Sequence, residues 1–113
     1  MSRLAKKNDI LQGTLVLLIL KTLASQKRMH GYAITERIHK TSTDALRVEE
    51  GSLYPALHRM DEAGWVTSEW GTSENRRRAR YYRITKAGRR HLEDLEGDWV
   101  KHVAAVKRVL KHA

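Results

Sequence analysis

Between Gly51 and Ile84 the hydrophobic period changes once, from helical to two, and this change constrains the fold more than any other feature of the chain. Leu53, Leu57 and Met60 recur at i, i+4 and i+7, the core stripe of a helix. Ser52 is the expected N-cap, Pro55 falls in the first turn where a missing N–H breaks no intrahelical bond, and Gly64 after Ala63 suits a left-handed C′ position. Trp65 would then close onto Met60 in a Schellman-type cap. Beyond it, Val66, Ser68 and Trp70 alternate with Thr67 and Glu69. The polar "GTSEN" follows, and "RARYYRI" alternates again, with Tyr82 and Ile84 on one face and Ala79, Tyr81 and Arg83 on the other. A helix thus runs directly into a two-stranded hairpin.

The flanking segments complete the order. Asp9 followed by Gln12 resembles a capping box and opens a first helix, "ILQGTLVLLILKTLAS", that is apolar on most of its circumference. Such a helix needs cover from its own domain and from a second subunit, because a one-sided surface helix shows a polar face. "QKRMHG" reads as a loop, and residues 31–40 as an amphipathic helix with Ile34 and Ile38 inward. Tyr32 and Tyr82 are expected in the core. "TSTDALRVEE" is a connection in which Leu46 and Val48 alternate as a short extended piece would. Thr85 can cap a last helix in which Leu92, Leu95, Trp99, Val103, Val106 and Leu110 recur at steps of three or four. That spacing is coiled-coil-like over less than three heptads, enough for a helix that docks on a partner. Gly97 inside it marks a bend or a close backbone approach.

The expected fold is mostly α with a small β-hairpin, a winged helix-turn-helix plus a C-terminal dimerisation helix. Residues 1–85 form the DNA-binding part and 86–113 the dimerisation helix. Charge agrees with this order. The 113-residue chain carries a formal charge of +9, which implies an anionic partner, nucleic acid first and an acidic membrane surface second. From Arg76 to Arg90 there are eight basic residues and no acidic one, so the excess falls where a wing would be. Flanking Trp, Val, Tyr and Ile in alternation favour a folded wing over a solvated arginine run.

Other classes find less support. The chain has no cysteine, which excludes disulfides and thiolate zinc sites. Its six histidines form no HExxH pair, there is no P-loop, and "EEGSLYP" lacks the second glycine of a nucleophile elbow, so neither an enzyme nor a cofactor is expected. No segment reads as a signal peptide, and the apolar run from Leu15 to Leu20 is far short of the ~20 residues of a membrane span, so a cytoplasmic protein without membrane attachment is expected. A small basic RNA-binding protein and a winged-helix protein-interaction adaptor are the alternatives.

The blocks "LQGTLVLLILKTLA", "HGYAI", "VEEGSLYPALHRMDEAGWV", "SEWG" and "RARYYRITKAGRR", with Trp99, resemble successive blocks of the PadR family, the phenolic-acid-decarboxylase repressor-like transcriptional regulators. The resemblance covers about residues 10 to 105. It implies a homodimeric repressor of the short subgroup that binds inverted repeats in double-stranded DNA and is released by a small molecule. On the third helix, Arg59 and His58 are candidates for base edges, while Ser52, Tyr54 and Pro55 near its start suit phosphate positioning. Arg76, Arg77, Arg78 and Arg80 are expected on the DNA backbone, and Glu49 and Glu50 as complements to the helix dipole. Leu15, Ile19, Leu92, Leu95, Trp99, Val103, Val106 and Leu110 are the expected dimer contacts. Trp99 has two readings, a packed interface residue or the flank of a site for a small hydrophobic or aromatic effector.

Overall fold

The computed structural model describes the backbone of residues 3–112 and the side chains of residues 13–112. Helices α1 (Arg3–Ala24), α2 (Gly31–Thr41) and α3 (Glu50–Glu62) are followed by strands β2 (Val66–Thr72) and β3 (Arg78–Ile84) and by α4 (Lys86–His112); β1 (Met29–His30) precedes α2. The hairpin is therefore part of a three-stranded antiparallel sheet of order β1-β3-β2, with Met29 opposite Tyr82 and His30 opposite Tyr81. The "QKRMHG" segment is a loop only in its first half. Two residues carry no period of their own, so this strand exists only because β3 offers it a free edge.

The expected helix ends hold where a local hydrogen bond makes them. Gly64 has φ +83°, its N–H donates to the Asp61 carbonyl at 3.0 Å, and the Trp65 N–H donates to the Met60 carbonyl at 2.9 Å, the paired bonds of a Schellman cap. Thr85 caps α4: its Oγ1 accepts from the Gly88 N–H at 3.0 Å and donates to the Gly64 carbonyl at 2.6 Å. Helix, hairpin and last helix are thus tied at one corner. Gly88 completes it, since a Cβ there would run into the Trp65 carbonyl oxygen.

Three expected boundaries move. Helix α1 begins at Arg3, so Asp9 lies inside it, and the proposed Asp9–Gln12 cap involves side chains outside the described residues. Helix α3 begins before Ser52, at Glu50: its N-cap is Glu49, whose carbonyl accepts from Ser52 and Leu53 N–H at 3.0 and 2.9 Å. Pro55 consequently sits in the second turn, and its missing N–H leaves the Gly51 carbonyl, on an exposed residue, to water. Leu46 and Val48 form no strand; Thr43 and Asp44 adopt left-handed φ of 54° and 65°, and the Ser42 hydroxyl accepts from Leu46 N–H at 2.9 Å, turning the chain too tightly to extend.

The core gathers Ile19, Leu20 and Leu23 of α1, Ile34 of α2, Leu53, Leu57 and Met60 of α3, and Val66 of β2, with Tyr82 and Leu92 closing it. Leu15 and Ile19, expected at a dimer seam, are buried in this core, as is Leu92. Tyr82 is buried as expected, and that burial raises its phenol above the ordinary tyrosine range. Tyr32 is not in the core: it is 61% exposed, because Gly31 and Ile34 take the inner face of α2. No helix among the described residues is long and apolar enough to cross a membrane.

Candidate nucleic-acid interface

The leucine stripe of α3 turns inward, which leaves Ser52, Tyr54, Pro55, His58, Arg59 and Glu62 exposed along one edge. Glu50 stands in the first turn, where its charge suits the helix dipole. His58 Nε2 lies 3.5 Å from Glu62 one turn on, an exposed pair of little energetic weight. Ser52, Pro55 and Arg59 border a groove of about 340 Å³ together with Arg47 and Leu46. Tyr54 turns to the other side, its ring against Gly31 at the start of α2.

There it meets the wing. Tyr54, His30 and Tyr32 line a cleft of about 870 Å³ together with Trp70, Arg77, Arg78 and Arg80 of the hairpin. His30 caps α2 through Nδ1, which accepts from the Ala33 N–H at 3.3 Å; its proton is therefore on Nε2 when the ring is neutral. The neighbouring Glu36 carboxylate, through hydrogen bonding and its charge, raises the Tyr32 phenol above the ordinary tyrosine range. Tyr32, His30 and Trp70 were not among the residues expected here. Their signal is tertiary, since only folding sets the start of α2 opposite the hairpin.

The wing sorts its arginines. The Ser73 carbonyl accepts from Arg76 N–H at 2.9 Å, and Arg76 has φ 58°, so a tight turn with one left-handed residue presents Arg76 and Arg77 at the tip. Arg78 and Arg80 stand over Trp70, with their guanidinium carbons 4.5 and 5.5 Å from the ring centroid. Arg83 is on the opposite face, 3.3 Å from Glu69, which also takes Arg28 at 2.9 Å. Four of the five arginines in residues 76–83 therefore face away from any carboxylate partner.

The outer half of α4 differs in kind. Trp99, Val100, Val106, Val109 and Leu110 are exposed there, while Leu95 packs partly on the core and Lys21 of α1 reaches Glu96 at 3.3 Å. Among the described residues nothing lies within 4 Å of where a Cβ at Gly97 would stand. Trp99 and His102 border a groove of about 320 Å³ with Gly13, Thr14, Leu17, Leu95 and Asp98.

The sequence profile of the PadR-like family of transcriptional regulators matches residues 19–94. The chain belongs to that family. Transcriptional regulator Rv3488 of Mycobacterium tuberculosis is 38% identical over 71 residues, 63% of each chain. A transcriptional regulator from Clostridium thermocellum superposes with a TM-score of 0.80 at 26% identity, over 88% of this chain and 96% of its own. A PadR family regulator from Eggerthella lenta does so at 0.77 and 28%, over 97% and 94%. Four helices with a small antiparallel sheet are thus the winged-helix architecture of this PadR-like regulator.

Proposed function

We propose that this regulator is a homodimeric repressor that binds an inverted-repeat operator in double-stranded DNA. The observation that carries this reading is the continuity of the exposed edge of α3 with the wing across one cleft: Tyr54 borders the same space as Arg77, Arg78 and Arg80. In that arrangement Arg59 and His58 meet base edges, Ser52, Tyr54 and Pro55 position the sugar–phosphate backbone, and Arg76, Arg77, Arg78 and Arg80 neutralise phosphates beside it. His30 donates to the backbone through Nε2 from the start of α2. Membership in a family of transcriptional regulators favours this partner over structured RNA or a protein alone.

Dimerisation is supported by the outer part of α4. An apolar surface of this kind on a helix that has left its own core is covered in solution by a second copy, with Leu95, Trp99, Val103, Val106 and Leu110 as contacts and residues 86–113 as the dimerisation helix. A small hydrophobic or aromatic effector fits beside Trp99, and it acts on the operator only if it prefers one dimer arrangement.

Footprinting on the gene's own upstream region tests the reading. Two protected half-sites related by a dyad, about 34 Å apart or a multiple of it, are expected. Protection without symmetry, or equal binding to random duplex, removes the operator reading.

A further inference from the structure

We propose that Trp70, Ser68 and Asp61 are positioning residues that fix the guanidinium groups of Arg78 and Arg80, so that these two arginines sense the shape of the DNA groove beside each half-site while Arg76 and Arg77 supply charge alone. The proposal rests on the DNA-binding reading above and deepens it.

A hydrogen-bond chain carries the argument. Arg80 Nε donates to Ser68 Oγ at 2.9 Å, and Ser68 Oγ donates to Asp61 Oδ2 at 3.0 Å. The hydroxyl accepts from Arg80 through a lone pair and gives its single proton to Asp61, so one side chain serves both neighbours. Asp61 lies in the last turn of α3 and Ser68 in β2, so this chain ties the orientation of the wing to the recognition helix. Trp70 extends it. The pairing of β2 with β3 sets Trp70 opposite Arg80 and Thr72 opposite Arg78, which brings both guanidinium groups over the one indole ring. Trp70 is 55% exposed, too open to serve as core, and its ring is occupied by the arginines instead.

Arg76 and Arg77 have no side-chain hydrogen bond, ion pair or stacking partner among the described residues, and both sit at the tip. Free arginines follow phosphates on any sequence, and their effect is read in the salt dependence. Arginines held in a fixed plane distinguish a narrow, strongly negative A·T minor groove from a wider one, because they cannot rearrange to fit both. Asp61 has its own part in this: unpartnered, its carboxylate would stand close to phosphates, and through Ser68 it is used to aim a cation.

The test compares two duplexes that carry the footprinted operator with either A·T or G·C pairs just outside the half-sites. Affinity by fluorescence anisotropy is measured over a salt series for the full chain and for Trp70→Ala, Trp70→Phe, Ser68→Ala, Arg80→Lys and Arg77→Ala. The parent chain should prefer the A·T-flanked duplex by about fivefold or more. Ser68→Ala, Arg80→Lys and Trp70→Ala should lose most of that preference with the salt slope unchanged, since none of them removes charge. Trp70→Phe should keep it, because a phenyl face still holds two arginines. Arg77→Ala should keep the preference and flatten the slope by about one for each phosphate left without its cation. Should Trp70→Ala fail to fold, Ser68→Ala and Arg80→Lys decide alone. Equal affinity of the parent for both duplexes, or full preference in Arg80→Lys and Ser68→Ala, overturns the proposal and leaves DNA binding standing. A parent that binds neither duplex removes the DNA reading itself.

Discussion

The wing and the outer half of α4 are both exposed, but the wing's exposed aromatic is covered by its own arginines while the helix's exposed hydrocarbon is left bare among the described residues. In the wing, Trp70 lies under Arg78 and Arg80, and Glu69 holds Arg28 and Arg83. Its remaining charged side chains, Arg76, Arg77 and Glu74, are groups that water solvates readily. Along α4 the exposed hydrophobic groups among the described residues are Trp99, Val100, Val106, Val109 and Leu110, which water solvates poorly. Exposed charge waits for an anion at no cost to folding. Exposed hydrocarbon instead is where the proposed second copy docks.

The largest expected effect falls at the corner joining the two regions. Gly88→Ala places a methyl against the Trp65 carbonyl and Ile84, and should cost about 3 kcal/mol, seen as a fall of roughly 10 °C or more in Tm. A Tm within a degree or two of the parent would mean that wing and helix are packed less tightly than this approach indicates.

Loss of the second copy comes next. Val106→Glu combined with Leu110→Glu changes two exposed positions and leaves Leu92 in the core, so the fold should survive while sedimentation shows a monomer. Operator affinity should drop by about a hundredfold as the tethered second half-site is lost. A dimer that persists would move the interface off this face. On the other region, Arg59→Ala should weaken the cognate site by roughly 1–3 kcal/mol and leave random duplex unaffected in a competition assay. Equal loss on both would assign Arg59 to phosphate.

The smallest expected effect has opposite signs in the two readouts. Arg76 holds a left-handed φ, so Arg76→Gly should stabilise the wing by up to about 1 kcal/mol in thermal unfolding. DNA affinity should fall at the same time through the lost charge, and more at low salt than at high. A variant that loses stability would show that the Arg76 side chain has packing worth more than the strain.

The features legible along the chain are local or periodic. The Schellman cap at Gly64 needs only hydrogen bonds within five residues, Thr85 caps from three residues away, and strict alternation places Tyr82 and Val66 on the inner face whatever they meet there. Family membership was legible in the blocks from "LQGTLVLLILKTLA" to "RARYYRITKAGRR". Ends without such a signal were misplaced: acidic Glu49 and Glu50, with the permissive Gly51, let α3 start before the better capping residue Ser52. Tertiary structure decided the rest. Met29 and His30 became a strand because β3 had an open edge, Leu15 and Ile19 were drawn into their own chain's core, and Tyr32 was left outside because α2 had only a narrow inner face. The sorting of the arginines belongs here too, since one indole, one hydroxyl and one carboxylate from separate elements must converge before any cation can be held, and no spacing along the chain records that convergence.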